Sequence, residues 1–340
     1  MSNPQHILVI RLSAMGDVAM TVPVLRLLTK QHPQLKITVL TREFFKPLFR
    51  DLPNVSVFPV EVKGKHKGFF GLLKLSKELK ALKINTVADL HNVLRSNMLK
   101  YFLFGIKTIQ IDKGRAEKKA LVSGEVFVQL KTTHERYAEV FNKLGFNIDL
   151  SKPSFPAPKE LNAKTVWLLG EKATKWIGIA PFAAHKGKMY PLDLMEEVIE
   201  TLSKKYRIIL FGGGKTEIDI LNTMQSKFEN CISVAGKLTF DEELDVISNL
   251  DVMLSMDSGN AHLAAMLGIK TVTIWGVTHP FAGFAPFNQP EDYALLANRN
   301  QYPKIPTSVY GNKYPQGYEK AAESISPKTI IDKIESIVVG

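Results

Sequence analysis

Short apolar runs alternate along the chain with longer stretches whose apolar residues recur at helical spacing. The runs at 6–11, 36–41, 55–60, 86–90 and 108–111 are rich in Val, Ile and Leu and predict buried strands. Between them, 17–31 places Val18, Val22, Leu25 and Leu28 on one face, and 69–82 does the same with Leu72, Leu75, Leu79 and Leu82. Segments 92–104 and 134–144 also read as helices, the latter ended by Gly145. The second half repeats the pattern, with strands at 176–180, 207–211, 232–234, 252–255 and 271–274. Helices are predicted there at 192–205, 216–228 and 240–250, and an amphipathic helix at 327–338 closes the chain. Such alternation implies parallel sheets covered on both faces by helices. Pro23 falls early in the 17–31 helix, where a missing amide costs little.

A proline-rich stretch, 151–158, has no periodicity and lies near mid-chain, so it is the expected boundary. The expected organisation is an N-terminal domain at 1–150, a linker at 151–165 and a second domain at 166–325. The helix in 326–340 is a candidate to cross back to the first domain. Two similar doubly wound halves place a ligand cleft between them.

Composition narrows the class. The 340 residues are 45% hydrophobic and 23% charged, as in a globular protein. Cys231 is the only cysteine, which excludes an intramolecular disulfide framework and a Cys-based zinc site and fits a reducing cytoplasm. The first six residues carry no basic region, and no uninterrupted apolar stretch is long enough for a signal peptide core or a membrane span. The net charge of +11 is concentrated: residues 61–120 hold fourteen Lys or Arg against five Asp or Glu. Such a face can meet an anionic membrane or a phosphorylated acceptor, or only solvent. Aromatic residues do not alternate with the basic ones and no nucleic-acid-binding motif is present, so nucleic acid is not expected as a partner.

Four segments at predicted strand ends could carry chemistry. At 11–18, Asp17 sits beside Gly16 at a helix start; it either stabilises the helix dipole or takes a proton from an acceptor hydroxyl. Gly16 is the only glycine there, so no dinucleotide fingerprint exists. At 181–191, Lys186 and Lys188 precede a helix, where cations suit a bound phosphate better than the helix alone. At 211–217, Gly212, Gly213 and Gly214 permit close backbone approach, and Glu217 could accept from ribose hydroxyls. Ile209 stands where a Walker motif needs glycine, so that motif is rejected. At 252–268, a strand turns into a helix through Asp257, Ser258 and Gly259, with His262 one turn on. Capping accounts for Asp257 and Ser258 but not for His262. No Asp-x-Asp and no Gly-x-Ser-x-Gly elbow occurs.

In order and spacing these segments resemble the bacterial lipopolysaccharide heptosyltransferases, glycosyltransferase family 9, over nearly the whole chain. The resemblance implies an α/β GT-B architecture, two Rossmann-like doubly wound domains facing a cleft, with acceptor on the first and nucleotide-sugar donor on the second. It implies inverting transfer without a metal or other cofactor. By position, Asp17 matches the family's proposed general base. Arg11 and Ser13 match positions near the acceptor and the donor phosphates, and the segment with Asp89, His91 and Arg95 matches one facing the acceptor. Lys188 matches the lysine holding the donor diphosphate, and Glu217 the acid near the nucleoside. Asp257, Ser258, Gly259 and His262 match the donor-binding turn. Departures cluster around the donor: Ala183 and Ala184 replace common hydroxyl residues, Tyr190 a tryptophan, Ala261 a serine and Val277 a proline.

The expected activity is transfer of a sugar, heptose from ADP-heptose by the resemblance, to a phosphorylated lipid-linked saccharide of the lipopolysaccharide core. The expected place is the cytoplasmic face of the inner membrane, with the basic window against anionic lipid or acceptor phosphates. The rivals are a GT-B-type sugar-nucleotide epimerase or hydrolase, and a non-catalytic nucleotide-sugar-binding protein.

Overall fold

The computed structural model describes residues 6–339; the N-terminal stretch 1–5 and Gly340 lie outside the described residues. The chain divides into two units, Met1–Lys113 with Thr133–Phe155, and Gly114–Thr132 with Pro156–Gly340. It passes between them inside the proline-rich stretch, and residues 114–132, read from sequence with the first half, group with the second unit.

In the first half, β1 (His6–Ile10) leads into α1 (Met15–Ala19) and α2 (Thr21–Gln31), then β2 (Lys36–Thr41) and β3 (Val55–Pro59). α3 (Gly68–Ala81), β4 (Thr86–Asp89), α4 (Leu94–Phe102) and β5 (Lys107–Gln110) follow. Next come α5 (Arg115–Ser123), which belongs to the second unit, and α6 (Thr133–Leu144). The single helix expected at 17–31 is two, broken at Met20. Pro23 explains the break: it has no amide to offer the Ala19 carbonyl, and its ring crowds that carbonyl.

The five strands are parallel in the order β3-β2-β1-β4-β5. The chain steps outward from β1 to β3 and returns on β1's other side at β4, so a topological switch point lies between β1 and β4. Register pairs Ile10 with both Leu40 and Asp89, bringing the carboxyl ends of β1 and β4 level. Leu8, Ile10 and Val87 of the sheet pack on Leu72, Leu75, Leu79 and Leu99 of the helices. Each such side chain stabilises the unit by ~1.5–3 kcal/mol.

The second half runs α7 (Ala163–Leu169), β6 (Trp176–Ala180), α8 (Leu192–Ser203), β7 (Arg207–Leu210), α9 (Lys215–Lys227), β8 (Cys231–Ser233) and α10 (Phe240–Ser248). β9 (Val252–Met256), α11 (Gly259–Met266), β10 (Thr271–Trp275), β11 (Ala294–Leu296) and α12 (Pro327–Val339) complete it. All six strands are parallel, ordered β11-β10-β9-β6-β7-β8, with the switch point between β6 and β9. α12 packs on α8 and buries Ile330, Ile334 and Ile337, spaced four and three apart, in this unit's core. Among the described residues no helix is long and apolar enough to cross a membrane.

Candidate active site

In the first unit the switch point carries a buried arginine. Arg11 follows β1 directly and is only 7% exposed. Its Nη1 donates to the Leu90 carbonyl at 2.8 Å, its guanidinium lies over the Tyr137 ring at 5.9 Å, and its Nη2 pairs with Asp17 Oδ2. Such a cation is held from several sides, which fixes the carboxylate it pairs with.

Asp17 is in the first turn of α1, where the dipole favours an acid. Its Oδ2 also accepts the Ala14 amide at 3.2 Å, and its backbone carbonyl accepts the Tyr137 hydroxyl at 3.2 Å. Oδ1 has no partner among the described residues, and the side chain is about a quarter exposed, at 27%. One oxygen is therefore anchored and the other open, the arrangement a base needs. Burial pushes the Tyr137 phenol far up, so it stays a neutral donor.

Asp89 plays another part than the acceptor-facing one the resemblance implies. It is fully buried, with Oδ1 accepting the His91 and Asn92 amides at 2.9 Å each and Oδ2 accepting Gln110 Nε2 at 2.9 Å. It shapes the turn after β4, which presents His91. That imidazole is pushed down to about 4, chiefly by burial and then by Arg11 and Lys113, so it is neutral. The side chains of Ser13 and Arg95, both half-buried residues, make no hydrogen bond or ion pair among the described residues.

In the second unit three neighbouring strand ends converge. The loop after β6 contains one 3-10 turn, Lys186–Lys188, whose last residue turns inward while Lys186 stays exposed. Lys188 Nζ is 2.8 Å from Asp257 Oδ2, beyond β9, and Thr278 Oγ1, beyond β10, donates to the same oxygen at 2.8 Å. Backbone proximity makes this possible. The Gly187 carbonyl accepts the Val277 amide at 2.9 Å, and a Cβ on Gly187 would lie 2.7 Å from the Val277 side chain. A Cβ on Gly311 would lie 2.5 Å from Lys188 Cγ, so this glycine makes room for the lysine's stem.

Ser258 occupies the N-cap of α11 but does not cap it: its hydroxyl bonds the Ser255 hydroxyl at 3.1 Å. Gly259 begins the helix, whose first amides therefore lack a side-chain cap. His262 is buried in the same helix. At the next strand end, Glu217 Oε2 accepts the Gly213 amide at 2.8 Å, folding the acid onto its own glycine turn. Gly212 is packed, since a Cβ there would lie 2.8 Å from Leu221, whereas a Cβ on Gly213 would meet nothing within 4 Å. The open side of this turn is at Gly213.

Thr278, Gly311 and Tyr137 were missed at the sequence level. Thr278 carried a usable signal, as a hydroxyl just past the strand that neighbours β9. Gly311 and Tyr137 lie far along the chain from what they support and gave none. Among the described residues no group of three or more His, Cys, Asp or Glu converges as a metal site.

The family described as glycosyltransferase family 9 (heptosyltransferase) matches residues 72–313. The lipopolysaccharide core heptosyltransferase OpsX of Haemophilus influenzae is 23% identical over 306 residues, 87% of this chain and 86% of that protein. Lipopolysaccharide heptosyltransferase 2 of Escherichia coli is 23% identical over 98% of both chains. Among solved structures, a family 9 glycosyltransferase from Veillonella parvula has a TM-score of 0.77 at 20% identity, covering 98% of this chain and 97% of its own. Escherichia coli heptosyltransferase WaaC has 0.69 at 20% identity, covering 98% and 99%. The GT-B architecture expected from the resemblance is thus the fold found. With the match spanning most of its length, the chain belongs to glycosyltransferase family 9, the heptosyltransferases.

Proposed function

We propose that the protein is an inverting, metal-independent glycosyltransferase that moves heptose from ADP-heptose to a phosphorylated, lipid-linked saccharide of the lipopolysaccharide core. The observation that carries this is the meeting of Lys188, Asp257 and Thr278 at the second unit's switch point. A lysine held beside uncapped helix amides suits a diphosphate leaving group. WaaC, a structural neighbour, was solved with ADP and with ADP-2-deoxy-2-fluoro heptose, which supports the carrier and sugar chosen here.

In the reaction, the acceptor hydroxyl oxygen bonds to the anomeric carbon as the bond from that carbon to the ADP phosphate oxygen breaks. Asp17 Oδ1 takes the hydroxyl proton, while Arg11 holds the other carboxylate oxygen in place. A single displacement inverts the anomeric centre. Lys188 and the amides of α11 balance the charge gathering on the leaving ADP. Neutral His91 offers a hydrogen bond to the acceptor without adding charge. The first unit's exposed lysines at 63–83 and 107 face anionic lipid at the cytoplasmic side of the inner membrane.

The decisive experiment is Asp17→Asn. Transfer is expected to fall by ~10²–10⁴-fold with ADP-heptose affinity unchanged; near wild-type transfer defeats the base assignment. Release of ADP without any acceptor in the wild type would favour hydrolysis over transfer.

A further inference from the structure

Aromatic side chains are gathered on the first unit's surface where water alone gives them no reason to be. Phe69 and Phe70 open α3, and Tyr101 and Phe102 close α4. Their rings form a chain: Phe70 to Phe69 at 5.6 Å, Phe69 to Phe102 at 5.2 Å, Phe102 to Tyr101 at 6.4 Å. Phe104 follows in the turn just after α4, its amide bonded to the Tyr101 carbonyl at 3.3 Å. Phe102 roots the cluster in the core, but Phe70 is 82%, Tyr101 80% and Phe104 91% exposed. Single exposed aromatics are ordinary; a contiguous group from two helices marks a surface that meets something apolar.

The chain immediately before Phe69 supplies the charge. Lys63, Lys65 and Lys67 are all exposed in a turn that is built, not loose. His66, between two of them, is fully buried. Its Nδ1 accepts the Glu61 amide at 3.1 Å and its Nε2 meets Glu78 Oε2 at 3.1 Å. Gly71 of α3 lets this turn lie against the helix, since a Cβ there would lie 2.8 Å from the His66 Cα.

We propose that Phe70, Tyr101 and Phe104 insert into the headgroup region of an anionic bilayer while Lys63, Lys65 and Lys67 hold the phosphates beside it. The inference rests on the membrane-facing part of the proposed function and gives it an anchor. Aromatic rings with adjacent lysines match the apolar-to-anionic step of a bilayer surface. A second copy of this chain fits less well, because a two-fold contact would set the same lysines against each other.

The test floats the full-length protein with vesicles, without donor or acceptor, so its failure leaves the transfer activity untouched. Wild type is expected on phosphatidylcholine vesicles containing phosphatidylglycerol and not on phosphatidylcholine alone. Phe70→Ser with Phe104→Ser should lose at least ~tenfold in partitioning at an unchanged thermal midpoint, because both side chains are exposed. Replacing Lys63, Lys65 and Lys67 by Gln should lose roughly 10²-fold and most of the salt dependence. The proposal is overturned if wild type ignores anionic vesicles or the aromatic pair variant floats like wild type. It is also overturned if light scattering shows a wild-type dimer that this variant dissolves.

Discussion

Lys188 Nζ and Asp257 Oδ2 are 2.8 Å apart, and the carboxylate side chain is 8% exposed. A buried carboxylate beside a bound diphosphate would repel it, so Asp257 serves best by holding Lys188, with Thr278 fixing the carboxylate in turn. The two residues then act as one device. Lys188→Gln and Asp257→Asn should each weaken ADP binding by ~10²-fold, about 2.7 kcal/mol, and the double variant should be scarcely worse than either. Calorimetric titration with ADP measures all three. Additive losses would show that Asp257 touches the ligand independently of the lysine.

Gly311 tests the same device from outside the motif. Its φ of 73° already disfavours a side chain, and an added Cβ would press on Lys188 Cγ at 2.5 Å. Gly311→Ala should cost ~1 kcal/mol of stability and lower ADP affinity, since the lysine stem must move. Gly213→Ala is the control: its Cβ meets nothing in the protein, so stability should hold. If Gly311→Ala binds ADP like wild type, the lysine's position is not what this glycine protects.

The alternation of apolar runs and amphipathic segments made the two parallel sheets legible, because buried parallel strands need runs of apolar residues such as 252–254. Asp17, Lys188 and Asp257 were legible for a related reason: each follows a strand whose carboxyl end the pattern located. Three things were hidden. The strap at 114–132 leaves the first unit for the second, which strand order cannot announce. Pro23's effect depends on the carbonyl it faces rather than on its position from the helix start. Asp89 looks like a site acid in sequence, yet its oxygens are consumed by His91, Asn92 and Gln110, and only three-dimensional pairing shows that.

Tyr137 ties α6 to Asp17. Its hydroxyl donates to the Asp17 carbonyl at 3.2 Å and its ring supports Arg11. Tyr137→Phe keeps the ring and leaves one carbonyl short of a donor. It should cost ~1 kcal/mol in thermal or urea unfolding and lower kcat a few-fold, with ADP affinity unchanged. A loss of ADP affinity equal to the loss in kcat would place Tyr137's influence on the donor rather than on Asp17.

Two buried histidines weaken the fold in acid, in the same direction as His6 and against Glu243, whose carboxyl burial pushes up to about 7. Burial, with Arg11 and Lys113 adding to it, pushes His91 down to about 4 against the opposing pull of Asp89 and Asp17. Burial and then Arg299 push His279 down to about 4. His279 Nδ1 accepts the Phe281 amide at 3.2 Å, a bond that protonation would break. Between the ordinary value of 6.5 and about 4, the unfolded chain takes up protons that the folded chain refuses. Stability present in full above 6.5 should therefore fall as pH drops toward 4, by up to about 1.4 kcal/mol per pH unit for each proton difference. The thermal midpoint, followed across this window, should slope downward in wild type. In His91→Asn with His279→Asn the slope should flatten, whatever the variant's midpoint at neutral pH, since carboxylates titrate alike in both proteins. An unchanged slope would mean that the two imidazoles already bind protons in the folded protein.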